Sequence, residues 1–505
     1  MTKMVLPRRE FMRTAVAATF GISVVPSHVL GKSLGHVAPS DKLNIAGIGV
    51  GGKGRVNLKA METENIVALC DVDWKYATDC FNDYPDARRY WDWRKMFDEM
   101  GNDIDAVMIA TSDHTHAVIA ASAITLGKHV YCQKPLTHSV YESRLLTNLA
   151  REYNVATQMG NQGNSSPEAR TVEEWIWAGE IGKVTEVHAW TNRPIWPQGL
   201  ERPKEVMTPP DTMNWDLFIG PAPMRPYHDI YTPWNWRGWW DFGTGALGDM
   251  ACHILNPVFS ALQLEYPVKV QGSSTLVNTE SAPQAQVVEY TFPERKKLPD
   301  HIKTKMPEVK VFWYDGGMMP SRPVEMAEGA PMMEDDMGGC LFVGSKDKLI
   351  CNLGGIHPRL LSGRQPAVPE TLRRIEGYET GGIMDWPHEQ DWIRACKESP
   401  EHRIQPMSHF DMAGPFNEMV VMGVLAVRLQ SLNRELEWDG PHMRFTNISD
   451  TDELKVVQSD DFQVIDGHPH FNTKYVTFNA AEAVNEYIQH TYREGWSLPE
   501  IPKTP

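Results

Sequence analysis

The chain has 505 residues, enough for about three average domains or two large ones. Its 49 Lys and Arg against 65 Asp and Glu give a net charge of −16, with no basic run in the body of the chain, which argues against counterion-displacing nucleic-acid binding. Apolar residues at 42% and charged residues at 23% exclude wholesale disorder, and no uninterrupted apolar stretch reaches the roughly 18 residues of a membrane span.

At the N-terminus, Pro7-Arg8-Arg9-Glu10-Phe11-Met12 precedes a mildly apolar, uncharged run from Thr14 to Leu30. A twin arginine before such a run resembles a Tat export signal. Residues 1–40 are therefore expected to be a signal and linker, cleaved between Ser27 and Ser40, with the mature protein periplasmic. The competing reading is an N-terminal helix that happens to carry two basic residues. Cys70 is the first cysteine, so no lipid anchor is expected. The seven cysteines form no C-x-x-C pair, which argues against a disulfide framework and a zinc ribbon.

From residue 43 to 159, short apolar runs alternate with helical patterns. Strands are predicted at 43–48, 65–70, 105–110, 129–132 and 155–159, and helices at 55–64, 115–126 and 139–153. This alternation predicts a parallel sheet covered on both faces, with ligands at the carboxyl ends of its strands. The first strand ends in Gly47-Ile-Gly49-Val-Gly51-Gly52-Lys53-Gly54, a G-x-G-x-x-G turn leading into a helix. Missing β-carbons there allow a tight turn and close approach of a pyrophosphate to the helix N-terminus. Asp71 follows 24 residues after Gly47, at the end of the next strand. A carboxylate there accepts ribose hydroxyls and repels a 2′-phosphate, so NAD is expected over NADP, with Lys53 and Arg55 keeping NADP open. Two further strand ends are polar: Thr111-Ser112-Asp113-His114-Thr115-His116 and Gln133-Lys134-Pro135. Thr111, His114, His116, Gln133 and Lys134 are expected to face the cofactor. The alternative is that the histidines merely start a helix and Lys134 is a solvated loop charge.

The glycine turn, the Ala110–His116 run and the Gln133-Lys134-Pro135 turn together resemble the Gfo/Idh/MocA oxidoreductase family. Gln133 departs from that family's Glu-Lys-Pro and leaves a neutral group beside Lys134. The resemblance continues through Trp236–His253, Asp391–Cys396 and Leu436–Asp439. It is closest in kind to an exported bacterial branch with an extended C-terminal domain. It implies an α/β protein: a Rossmann-type doubly wound parallel sheet over 41–165, then a substrate and oligomerisation domain over 166–505 with a large, mostly antiparallel sheet. The stretch at about 450–473 reads as an insertion without an assigned role. Asp249 and His253 lie i, i+4 and would share one helix face. The resemblance implies that Lys134, Asp249 and His253 form the catalytic group; the plain alternative for His253 is a buried, satisfied histidine. No third ligand stands at a telling distance, so no metal is expected.

Strands in the second domain are predicted at 184–190, 268–276, 285–292, 309–314 and 339–343. The run Trp234, Trp236, Trp239, Trp240 is either a packed corner or a platform for a sugar. Trp236, Arg237 and Trp239 are the substrate candidates, with Arg237 free to stack or to pair with Asp241. His388, Glu389 and Asp391 begin a late helix. An antiparallel sheet with one free face commonly buries it on another copy, so a dimer or tetramer is expected.

Two activities fit these residues. One is NAD-dependent oxidation of a secondary hydroxyl of a sugar or glycoside, with 3-keto-type chemistry and a tightly held cofactor. The other is an NAD-assisted glycoside hydrolase or epimerase, redox-neutral over one turnover. A cofactor-holding binding protein without turnover is a distant third.

Overall fold

Short, mostly buried strands assemble into one parallel sheet, with the polar, largely exposed Arg88–Tyr90 at its edge. The protein is described here from a computed structural model over residues 41–332, 337–376 and 387–502. The twin-arginine segment and the rest of 1–40 lie outside the described residues. The first sheet comprises β1 (Asn44–Ile48), β2 (Asn65–Cys70), β3 (Arg88–Tyr90), β4 (Ala106–Ile109), β5 (His129–Gln133) and β6 (Thr157–Gly160). Their order is β3-β2-β1-β4-β5-β6, every pair parallel. This is the doubly wound Rossmann arrangement, whose strand order reverses at β1 and β4. Helices Lys53–Ala60, Asp113–Thr125 and Val140–Tyr153 follow β1, β4 and β5. Ser139 and Glu142 form a reciprocal capping box at the start of the last of these.

The second sheet contains β7 (Val184–Trp190), β8 (Lys269–Ser274), β9 (Gln286–Phe292), β10 (Val309–Tyr314), β11 (Gly339–Gly344), β12 (Lys348–Asn352), β13 (Arg359–Leu360), β14 (Leu436–Asp439) and β15 (Arg444–Phe445). Its nine strands run β13-β12-β11-β7-β10-β9-β8-β14-β15. Only β7 and β10 pair in parallel. The large sheet is thus mostly antiparallel, as expected, and β7 to β11 fall on the five predicted strands.

Helix Phe410–Arg428 packs between Val140–Tyr153 on one side and β8 and β9 on the other. It is long and apolar enough to cross a membrane, and 83% of its most apolar window is buried inside the protein. Its polar residues are used inward. Asn417 accepts the Leu136 N–H at 3.0 Å and donates to the Thr137 carbonyl at 3.2 Å, fixing the turn after β5 from behind. Glu418 pairs with Arg144 at 2.8 Å.

The predicted insertion is a two-stranded hairpin, β16 (Glu453–Ile465) and β17 (His468–Asn479). Asp466 and Gly467 turn it at φ 49° and 80°, the Asp-Gly pair such a hairpin requires. Leu454, Val456 and Val457 are buried at its base, whereas Phe462 and Phe471 face each other near the tip, both exposed.

Candidate active site

The carboxyl ends of β1 to β5 open into one crevice of about 320 Å³. At the end of β1, Gly49 turns at φ 75°, and a β-carbon there would stand 2.6 Å from the Ala110 carbonyl carbon and the Thr111 nitrogen. Glycine is required because β1 must pass this close to β4. Gly49, Gly51 and Lys53 line the crevice. Gly47 does not: its α-carbon faces Val50 and Leu58, so it serves strand–helix packing. Gly52 turns at φ 53° beneath the Tyr76 hydroxyl, outside the lining.

Asp71, at the end of β2, lines the same crevice and accepts the Gly51 N–H at 3.0 Å and the Asp73 N–H at 2.9 Å. Burial pushes its carboxyl up to about 6, and these N–H groups hold it from rising further. A glycine turn opening a helix, with a carboxylate at the next strand end, fits the pyrophosphate and ribose of a dinucleotide. Burial lowers the ammonium of Lys53.

On the other side of the glycine turn, Lys134 leaves the end of β5. Its Nζ donates to Asp249 Oδ1 at 2.6 Å and to the Asp249 carbonyl at 3.2 Å. Helix Gly245–Ile254 carries Asp249 and, one turn later, His253 on the same face; both line the crevice. Burial alone would raise the Asp249 carboxyl, but Lys134 and Arg237 outweigh it and hold the group well below the usual carboxylate range. Burial, then the Lys134 charge, push His253 down to about 3, so its imidazole is neutral at ordinary pH. Arg237 reaches Asp249 Oδ1 at 3.1 Å and lies between the rings of Trp234 and Trp236, 4.0 and 4.2 Å from their centroids. It thus both stacks and pairs, though with Asp249; Asp241 pairs with Arg225 instead. Gln133 lines the crevice and donates to Asn57 Oδ1 at 2.8 Å.

Besides Gly47 and Gly52, three expected site residues are turned away. His114 is buried with Nε2 3.1 Å from the carbonyls of Phe218 and Ile219 and Nδ1 3.3 Å from that of Phe242. It ties the Rossmann helix to the following segment and does not line the crevice. His116 has Nδ1 2.8 Å from the Pro135 carbonyl and Nε2 3.1 Å from the Thr111 carbonyl, joining the two polar turns from behind. Burial pushes both imidazoles down to about 4. Trp239 is wholly buried and packs edge-on to Tyr231, so it belongs to the core and not to a substrate surface. The aromatic run is divided: the exposed Trp234 and an edge of the largely buried Trp236 line the crevice, while Trp239 and Trp240 are buried outside it. Of the late helix, Glu389 accepts hydrogen bonds from Asn57, Tyr131 and Gln162. Asp391 pairs with Arg373 and Arg394, and His388 bonds Ser165; none of the three lines the crevice. Tyr76, Trp91, Trp93, Gln162, Leu217 and Trp496 line it without having been singled out.

Residues 43–161 match the model described as "Oxidoreductase family, NAD-binding Rossmann fold", and residues 175–298 match that of its C-terminal alpha/beta domain. Over these segments the chain is similar to the Gfo/Idh/MocA family. Levoglucosan dehydrogenase of Pseudarthrobacter phenanthrenivorans is 26% identical over 166 residues, 33% of this chain and 34% of that one. Inositol 2-dehydrogenase of Salmonella typhimurium is 26% identical over 151 residues, 29% of this chain and 44% of that one. The matches therefore span less than half the length of these curated relatives. Among solved structures, the WlbA dehydrogenase of Bordetella pertussis, in complex with NADH and UDP-GlcNAcA, superposes with a TM-score of 0.51 at 14% identity. That likeness covers 79% of this chain and 99% of WlbA and shows the shared fold. Gly49, Asp71 and the start of helix Lys53–Ala60 lie in the segment matched by the NAD-binding Rossmann model, and Asp249 and His253 in the segment matched by the C-terminal model.

Proposed function

We propose that the chain is an NAD-dependent oxidoreductase acting on a secondary hydroxyl of a sugar or glycoside. One observation carries this: Lys134, Asp249 and His253 share a single crevice with Gly49 and Asp71. NAD, when bound there, would accept the hydride from the carbinol carbon. Gly49, Gly51 and the N-terminus of helix Lys53–Ala60 would hold its pyrophosphate, and Asp71 its adenosine ribose. Neutral His253 is placed to take the hydroxyl proton. Asp249 engages two of the three N–H groups of Lys134, and the third can support the substrate oxygen as it becomes a carbonyl. The exposed Trp234, held by Arg237 stacked between it and Trp236, offers an aromatic surface suited to a sugar ring.

Oxidation at a ring carbon to a 3-keto sugar, export through the twin-arginine signal, a tightly retained cofactor and assembly as a dimer or tetramer belong to the same proposal. A folded, exported enzyme reaches a compartment where free NAD is scarce, so it must keep its cofactor and restore it in place. Purified protein, denatured and analysed by mass spectrometry, should release NAD in preference to NADP. Dialysed protein, given a glycoside and a second carbonyl compound that takes the hydride back from the bound NADH, should form keto sugar without added cofactor. Recovery of NADP alone overturns the role of Asp71. Free sugar released without net NADH would favour the redox-neutral hydrolase. Full dependence of activity on added micromolar NAD overturns tight retention.

A further inference from the structure

The order β3-β2-β1-β4-β5 fixes the two ends of the crevice. Lys134 stands at the end of β5, whereas Trp91 and Trp93 follow β3, beyond Asp71 and on the far side of the glycine turn. With a pyrophosphate at the turn and a ribose on Asp71, the β3 end is where an adenine ring falls.

The wall at that end is completed by the last segment of the chain. Helix Ala480–Ile488 packs on β16, β17 and helix Phe410–Arg428, and the backbone after it delivers Trp496 into the crevice lining. Trp496 lies 6.3 Å from Trp93, ring to ring, and under the guanidinium of Arg94 at 4.5 Å. Two side chains pin this segment. The Tyr492 hydroxyl donates to Glu142 at 2.6 Å. Arg493 donates from Nη1 to the Asp216 carboxylate and from Nη2 to its carbonyl, each at 2.8 Å, and from Nε to the Gly220 carbonyl at 2.6 Å. Asp216 belongs to the short helix Trp215–Ile219, which supplies Leu217 and Phe218 to the same lining. Beyond Gly495, the Trp496 N–H donates to the Arg493 carbonyl at 3.1 Å, and Trp496, Leu498 and Ile501 pack against the main core. An aromatic ring at a crevice mouth, stacked beneath a cation and anchored from outside, offers its face to a planar ligand.

We propose that the C-terminal segment is a strap over the adenine end of the dinucleotide crevice, with Trp496 as the ring that closes it. The strap rests on the reading of the crevice as an NAD site, and it would slow cofactor loss without contact to the reacting atoms. Trp496→Ala should speed NAD release and weaken both NAD and ADP-ribose binding at least tenfold, measured by calorimetry and by competitive displacement. Nicotinamide mononucleotide affinity should stay unchanged, and Trp496→Phe should restore most of the loss. In the wild-type protein, ADP-ribose should protect the bond after Arg493 from trypsin while nicotinamide mononucleotide should not, a readout that needs no variant. Trp496→Ala binding NAD and ADP-ribose within twofold of the wild type, with no protection by ADP-ribose, overturns the strap and leaves the NAD site standing. A wild type that carries no NAD as purified and binds neither ligand overturns the NAD site and the strap together.

Discussion

His253 is buried beside a lysine, and that sets how it can act. Its neutral form prevails above a pKa of about 3, so no histidine charge is lost as pH rises from 5 to 8. The pH profile of kcat/KM should therefore lack an imidazole ionisation near 6.5. His253→Ala should lower turnover roughly 10²–10⁴-fold while leaving NAD affinity within twofold; an unchanged turnover would remove His253 from the chemistry. Asp71 behaves oppositely. Its carboxyl carries charge above about 6 and is protonated below. A carboxylate accepts two ribose hydroxyls, whereas a carboxylic acid must spend one oxygen as a donor, so NAD affinity should fall as pH drops through 6. Calorimetry across this range checks it, and Asp71→Asn should be weak and flat. That Lys134, Asp249 and His253 share one crevice was legible from a strand end and an i, i+4 pair taken together with the family resemblance. His114, His116 and Trp239 were misplaced because their surroundings are buried on every side. Helix Asp113–Thr125 has almost no polar face, so its sequence holds no signal for which residues meet the crevice.

At the scale of elements, the glycine turn is bound by contacts on both sides. Gly54 sits inside the first helical turn, and a β-carbon there would stand 2.0 Å from the Gly49 carbonyl oxygen. Backbone cannot yield as a side-chain tip can, so the helix would have to lift off β1. Gly54→Ala should cost about 1–3 kcal/mol in denaturant unfolding, the range for overpacking, and weaken ADP-ribose binding as well. A stable variant with normal binding would show that the turn has slack. The turn itself was legible from its spacing. β3 was not: Arg88–Tyr90 is three residues long, too short for any periodic pattern. With it went Trp91 and Trp93, since nothing else marks them as lying at a strand end. The five long strands of the second sheet had enough alternation to be read. β12 to β15 did not, and the order of strands across a sheet depends on pairings that a single sequence does not contain.

For the molecule as a whole, the alternation of strand and helix up to residue 160 was sufficient for the Rossmann half, and the segment at 450–473 was recognisable only as extra chain. It is a hairpin whose outer part touches the body mainly through Asp460, whose N–H donates to Glu201 at 2.7 Å. Replacing residues 459–474 with a tight turn should shift Tm by no more than about 2–4 °C, the equivalent of ~1 kcal/mol for a large domain, as scanning calorimetry can determine. A larger drop would mean that the hairpin is part of the cooperative unit. All seven cysteines are reduced and buried, distributed through both halves. Cys70, Cys80 and Cys132 report on the Rossmann half, and Cys252, Cys340 and Cys351 on the other. A thiol reagent therefore finds no partner in the native protein, and the moment each sulfur becomes reactive dates the opening of its own neighbourhood. The chain carries its own unfolding clock with separate hands for its two sheets, and mass mapping of alkylated peptides would tell which sheet comes apart first.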